Sequence, residues 1–151
     1  MVELMSVSEA YNFRVIDEKT STSGVISETQ LGCLAEEGYV AVINLLPSDS
    51  EYAVASEPSL VKELGLGYYY IPVDFNAPSA VDFLEFERVM ALLNGKKVLI
   101  HCAANYRVSA FYSRYAGKHL GWSQQQMDEC IASIWNPQDH PPWPEFVTED
   151  S

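Results

Sequence analysis

Apolar and polar positions along this chain fall into blocks that switch between strand-like and helix-like spacing. Residues 40–46 are a near-continuous apolar run, the pattern of a central strand in a parallel sheet. Residues 68–73 are aromatic and β-branched and read as a second strand, and the short apolar run at residues 98–101 reads as a third. Residues 13–16 fit an edge strand, and Thr20 to Gly24 carry the residue types of a turn. Between these runs lie the helices. Ser27 and Gln30 form a capping box that opens a helix through Glu37, with Leu31 and Leu34 as its buried stripe and Gly38 as its stop. A short helix at residues 59–64 stops at Gly65, and Ser79 caps a longer one through Asn94 that Gly95 ends. Apolar Val108, Phe111, Tyr112 and Tyr115 predict a helix that runs to about Leu120, with Gly121 beyond it. Ser123 and Gln126 open a last helix through Trp135, its inner face Met127, Cys130, Ile131 and Ile134. Residues 1–12 and 136–151 read as irregular termini, the second anchored by Trp143 and Phe146. Strands alternating with helices predict one domain over residues 1–151, an α/β sandwich whose mainly parallel sheet has about four to five strands flanked by helices.

Composition narrows the partners. The formal net charge is −12 at pH 7, which disfavours nucleic acid and anionic membrane surfaces. Any site for a phosphorylated ligand must therefore be positive locally. No segment reaches the length of a membrane span, and residues 1–5 have neither the basic region nor the apolar core of a signal peptide. Three cysteines, Cys33, Cys102 and Cys130, contain no Cys-x-x-Cys pair, which predicts a reducing cytoplasmic setting without a disulfide framework or a zinc site.

The chemistry gathers between the strand at residues 98–101 and the helix after it. His101, Cys102, Ala103, Ala104, Asn105, Tyr106, Arg107, Val108 and Ser109 follow one another there. A strand–loop–helix junction aims backbone N–H groups and the positive end of a helix dipole at one spot, and that spot suits an anion. The same field favours a thiolate, the nucleophilic form of cysteine. Cys102 alone could be simple core packing. Its company of His, Asn, Arg and Ser favours the anion site.

His-Cys-x4-Arg-x-Ser after an apolar strand resembles the phosphate-binding loop of the cysteine-dependent protein tyrosine and dual-specificity phosphatases. That loop has five residues between Cys and Arg, usually with a glycine among them; here there are four. Without a gap, Asn105 takes the glycine place and Val108 the arginine place; with one residue deleted, Arg107 keeps the arginine role in a tighter loop. Both alignments are open. Thr22 to Gly24, residues 38–45 and residues 70–74 also resemble a bacterial branch of phosphatase-like proteins, similar to the module found fused to β-lactamase-like hydrolases. The resemblance covers roughly residues 20–120 and implies a phosphotyrosine-phosphatase-like sandwich.

The resemblance also implies roles. Cys102 attacks phosphorus and forms a phosphocysteine. The loop from Cys102 through Ala103, Ala104, Asn105, Tyr106, Arg107 and Val108 holds the phosphoryl oxygens, Arg107 as a bidentate guanidinium. Ser109 hydrogen-bonds the thiolate, and His101 supports the cysteine. Asp74, just beyond the strand at residues 68–73, is the candidate proton donor to the leaving oxygen, with Asp82 in reserve; a solvated turn aspartate is the plainer explanation of Asp74. No metal or cofactor is expected, and the partner is a phosphorylated protein or small molecule, or inorganic phosphate or sulfate. Two alternatives remain. A Cys-x4-Arg loop also resembles the persulfide loop of rhodanese-type sulfurtransferases, although their Asp-Val-Arg and Gly-His-Ile-Pro-Gly-Ala stretches are absent. The third reading is a non-catalytic phosphate- or partner-binding module on a phosphatase scaffold.

Overall fold

The computed structural model describes residues 6–148. Five strands form one sheet: β1 (Arg14–Asp17), β2 (Thr20–Ser23), β3 (Ala41–Asn44), β4 (Gly67–Tyr70) and β5 (Val98–His101). Their order across the sheet is β1-β2-β5-β3-β4, with β1 antiparallel to β2 and every other pair parallel. Helices α1 (Glu28–Gly32), α2 (Glu57–Glu63), α3 (Ala80–Leu92), α4 (Tyr106–His119), α5 (Gln124–Ala132) and α6 (Trp143–Thr148) complete the described residues, with 3-10 turns at Val7–Glu9 and Pro137–Asp139. The expected α/β sandwich with a mainly parallel sheet is what forms.

Side chains alternate across the sheet, so its central strands feed two cores. Val98 and Ile100 join Ile43, Phe86, Phe111 and Trp143 on one face. Leu99 and Val42 join Leu31, Leu34 and Val61 on the other. Each fully buried side chain of this size contributes about 1.5–3 kcal/mol of transfer free energy. β5 lies at the middle of the sheet, and the pairings Ser23↔His101, Asn44↔His101 and Asn44↔Tyr70 set the carboxyl ends of four strands in one row. A ligand crevice of a parallel sheet lies beyond such a row. The loop leaving β5 therefore starts at the centre of that edge.

Several sequence expectations need correction. Thr20 to Ser23 form an inner strand rather than a turn, and all four side chains are buried. The reading failed because the strand is wholly polar; its hydroxyls are satisfied internally, as Ser21 Oγ is by Tyr39 Oη at 2.9 Å. The part of residues 1–12 that is described is not loosely held: Val7 is fully buried and its N–H donates to Glu37 Oε2 at 3.2 Å. Residues 1–5 lie outside the described residues. Helix α1 keeps its capping box but ends at Gly32, after which Cys33 N–H to Gln30 and Leu34 N–H to Leu31 tighten the chain into successive turns until Gly38, at φ 91°. The C-terminal tail is not irregular throughout, since α6 buries both expected anchors, Trp143 and Phe146. Of the inner face expected for α5, only Ile131 is fully inside.

Candidate active site

The loop from Cys102 to Asn105 is tied down on one side by its own carbonyls. His101 O accepts from Leu45 N at 2.9 Å and Ala103 O from Val25 N at 2.7 Å. Ala104 O accepts from Asn12 Nδ2 at 3.0 Å. In a trans peptide the N–H points opposite to the carbonyl of the same plane. The N–H groups of Ala104 and Asn105 therefore face away from the Val25 and Asn12 side. The first intrahelical bond of α4 runs from Ser109 N to Asn105 O at 2.9 Å, so the N–H groups of Tyr106, Arg107 and Val108 precede the helical ladder. The N–H of Cys102 is different: it donates to Ser23 O at 3.3 Å and is spent on the sheet.

Asn105 makes the sharp entry into α4. It adopts a left-handed backbone at φ 69°, the conformation asparagine tolerates best among non-glycine residues. Its Nδ2 donates to Asn12 O at 2.9 Å and to Thr22 Oγ1 at 3.0 Å, which fastens the bend to β2 and the segment before β1. Gly24 makes the close packing possible. A Cβ there would lie 2.6 Å from Ala103 O and 2.9 Å from Ala104 Cα, both backbone atoms.

Cys102 is fully buried at the end of β5. His101 is also buried, with Nε2 2.5 Å from Glu57 Oε2 and Nδ1 3.4 Å from the Cys102 carbonyl oxygen. Glu57 is the first residue of α2, and sequence reading missed it: it lies 44 positions from its partner with no motif to mark it.

The two loop alignments meet different fates. Val108 is fully buried among the apolar side chains, so the ungapped register puts no charge at the arginine place. Arg107 is half-buried and turns toward the segment after β4, where Nε donates to Val73 O at 2.9 Å and the guanidinium sits over the Phe75 ring at 5.2 Å. Its Nε is thus engaged with the segment that leads to Asp74. Asp74 is exposed, and its Oδ1 accepts from Asn76 N at 2.9 Å. Asp82 sits in the first turn of α3, its N–H capped by Ser79 Oγ at 3.1 Å.

Ser109 does not meet the expectation of a thiolate partner in this geometry. Its hydroxyl donates to Tyr106 O at 3.1 Å and accepts from Trp135 Nε1 at 3.0 Å, so its one proton is already placed. Beside it an aromatic cluster walls the loop. Tyr106 stacks on Trp135 at 4.5 Å between centroids, Phe75 and His140 pack at the edge, and Trp143 Nε1 donates to Phe75 O at 2.8 Å.

A central strand ending in a buried cysteine, a short loop and a helix, set on a mainly parallel five-stranded sheet, make this an α/β sandwich of the protein tyrosine phosphatase kind. The chain is similar over 97% of its length to a solved structure from Shewanella putrefaciens CN-32, called "Putative phosphatase (DUF442)", at 32% identity and TM-score 0.86, covering 90% of that chain. It belongs to that DUF442 family. The fold alone is shared with the core catalytic domain of a PP-IP phosphatase from S. cerevisiae, at 17% identity and TM-score 0.73 over 93% of this chain and 86% of that one. Two β-lactamase hydrolase-like proteins of Xylella fastidiosa match 101 residues at 29% identity, 65% of this chain. That match spans 23% of the length of those relatives. No family model matches the chain. Among the described residues no helix is long and apolar enough to cross a membrane.

Proposed function

We propose that this chain is a cysteine-dependent phosphatase that hydrolyses phosphomonoesters through a phosphocysteine on Cys102. The observation that carries the reading is the loop itself. Its Ala103 and Ala104 carbonyls are tied to Val25 and Asn12, so that its later N–H groups and the start of α4 are left for an anion beside a buried thiol. Cys102 Sγ attacks phosphorus, the bond from phosphorus to the leaving oxygen breaks, and that oxygen takes a proton. Water then attacks the phosphocysteine and gives a proton back to the Asp74 carboxylate, the sulfur–phosphorus bond breaks, and phosphate leaves with the thiolate restored. The N–H groups and the Nη groups of Arg107 carry the charge on the equatorial oxygens; Nε remains on Val73. Asp74 is the proton donor by position, at the mouth of the same crevice. The substrate is a phosphorylated protein or small molecule, and the setting is cytoplasmic.

Hydrolysis of p-nitrophenyl phosphate by wild type, Cys102→Ser, Asp74→Asn and Arg107→Ala tests this. Turnover should fall by about a thousandfold or more in Cys102→Ser. It should fall by about a hundredfold or more in Asp74→Asn and in Arg107→Ala. Cys102-dependent formation of thiocyanate from thiosulfate and cyanide, without phosphatase turnover, would move the assignment to sulfur transfer, the reaction favoured by the four-residue spacing. Phosphate binding that survives Cys102→Ser, with neither reaction present, would leave a binding module.

A further inference from the structure

Strands β3 and β4 end against the segment that leads into α2, and a cavity of about 110 Å³ lies between them and it. Ala53, Val54, Ala55 and Pro58 form its apolar wall, and Tyr68 and Tyr70 line it from β4. Asn44, at the end of β3, pairs with His101 on one side and Tyr70 on the other, so the cavity belongs to the same edge of the sheet as the loop. Both phenols are used as acceptors. Asn44 Oδ1 takes the N–H of Leu46 at 2.9 Å, which fixes the amide and turns Nδ2 to Tyr68 Oη at 3.1 Å. Ser48 N donates to Tyr70 Oη at 2.7 Å. A phenol also has a proton to give, and neither hydroxyl has an acceptor for it among the described residues. Burial, with smaller contributions from Glu57 and Tyr70, pushes the Tyr68 phenol up to about 12, so it stays a donor across the neutral range.

Size and charge select what fits. A cavity of about 150 Å³ holds benzene, so this one suits a group of about four heavy atoms. Among the described residues no Lys, Arg or His lines it, and a charge brought there loses its hydration without a partner. The two hydroxyls call for an oxygen acceptor, and the alanines, valine and proline for a methyl. We propose that the cavity binds an uncharged carbonyl group of acetamide size, its oxygen accepting from the Tyr68 and Tyr70 hydroxyls and its methyl packing on Val54 and Pro58. A carbonyl oxygen has two lone pairs and can take both protons. None of the lining residues belongs to the loop from Cys102 to Val108, so the site stands whether or not the chain hydrolyses phosphomonoesters.

The test uses four probes of one shape: acetone, acetamide, acetate and the acetamidinium ion. Wild-type protein with carbon-13-labelled tyrosine rings is titrated with each near neutral pH, and the Tyr68 and Tyr70 signals, assigned through the backbone, are followed by NMR. Acetone and acetamide should shift both signals saturably, with dissociation constants in the millimolar range. Acetamidinium puts N–H groups where acetamide has its oxygen and should bind about tenfold more weakly or worse. Acetate should be weaker by a similar factor, because its charge is desolvated. Tyr68→Phe and Tyr70→Phe each remove one donor; each should weaken acetamide by about tenfold and narrow its lead over acetamidinium. Shifts that never saturate, or that spare both tyrosines, overturn the proposal. Equal binding of acetamide and acetamidinium overturns it as well, and so does tighter binding of acetate, which would make the cavity an anion site. The comparison of probes runs on the wild-type protein, so it decides even if a Phe variant fails to fold.

Discussion

Asn105 sets the shape of the loop through its backbone and its side chain at once. Its φ of 69° costs most residues about 1–2 kcal/mol, and its two donated bonds contribute about 1 kcal/mol each. Asn105→Gly keeps the backbone and loses the bonds; Asn105→Ala loses both. Urea unfolding should rank them wild type, then Gly, then Ala, with about 2–4 kcal/mol lost in Ala. Equal losses in the two variants would show that the conformation carries no strain. At this scale much of the site was readable. His101, Cys102 and Arg107 stand in one short stretch, and asparagine is the non-glycine residue that best fits a left-handed bend. What sequence could not show was each residue's distant partner. Glu57, Asn12 and Gly24 reach the loop only through the fold, and where Arg107 would turn depended on Val73 and Phe75.

Strand β2 is the element that most separates pattern from structure. Its four residues are hydroxyl-bearing and buried, so hydrophobic periodicity passes over them, yet β2 pairs with β5 along its whole length. Such a strand holds only because its hydroxyls find partners, Ser23 Oγ donating to Gly24 O at 3.0 Å and Thr22 Oγ1 accepting from Asn105 Nδ2. Thr22→Val keeps the shape and removes the acceptor, so it should cost about 1–2 kcal/mol in urea unfolding and weaken phosphate binding with it. A stability loss with binding unaltered would separate the strand from the loop. The helices were easier to read because their ends are marked locally: both capping boxes, Ser27 with Gln30 and Ser123 with Gln126, form as expected. Where α1 stops was not so marked, because its continuation is a run of tight turns that keeps the same buried leucines.

Across the whole molecule, buried phenols tie stability to alkaline pH. Burial raises Tyr68 to about 12 and raises Tyr39, Tyr112 and Tyr115 as well. An unfolded tyrosine ionises near 10, so the folded state's advantage is complete below about pH 10 and is lost as pH rises through the folded values. The urea midpoint should hold up to about pH 10 and fall steeply by pH 12; a midpoint level to pH 11.5 would contradict the buried-phenol account. The class of fold was legible at this scale from alternating strand and helix signals. Sheet order was not, since a polar inner strand left β5 without one of its neighbours.

Phe75 joins two parts of the molecule that chemistry treats separately. One side of its ring lies under the Arg107 guanidinium, and its carbonyl holds the indole of Trp143 at 2.8 Å. Arg107, the side chain proposed to meet an anion, is therefore linked by a single residue to a fluorophore. If an anion draws the guanidinium away from the Phe75 ring, the surroundings of that indole change with it, and Trp143 emission should then follow occupancy without a label and without turnover.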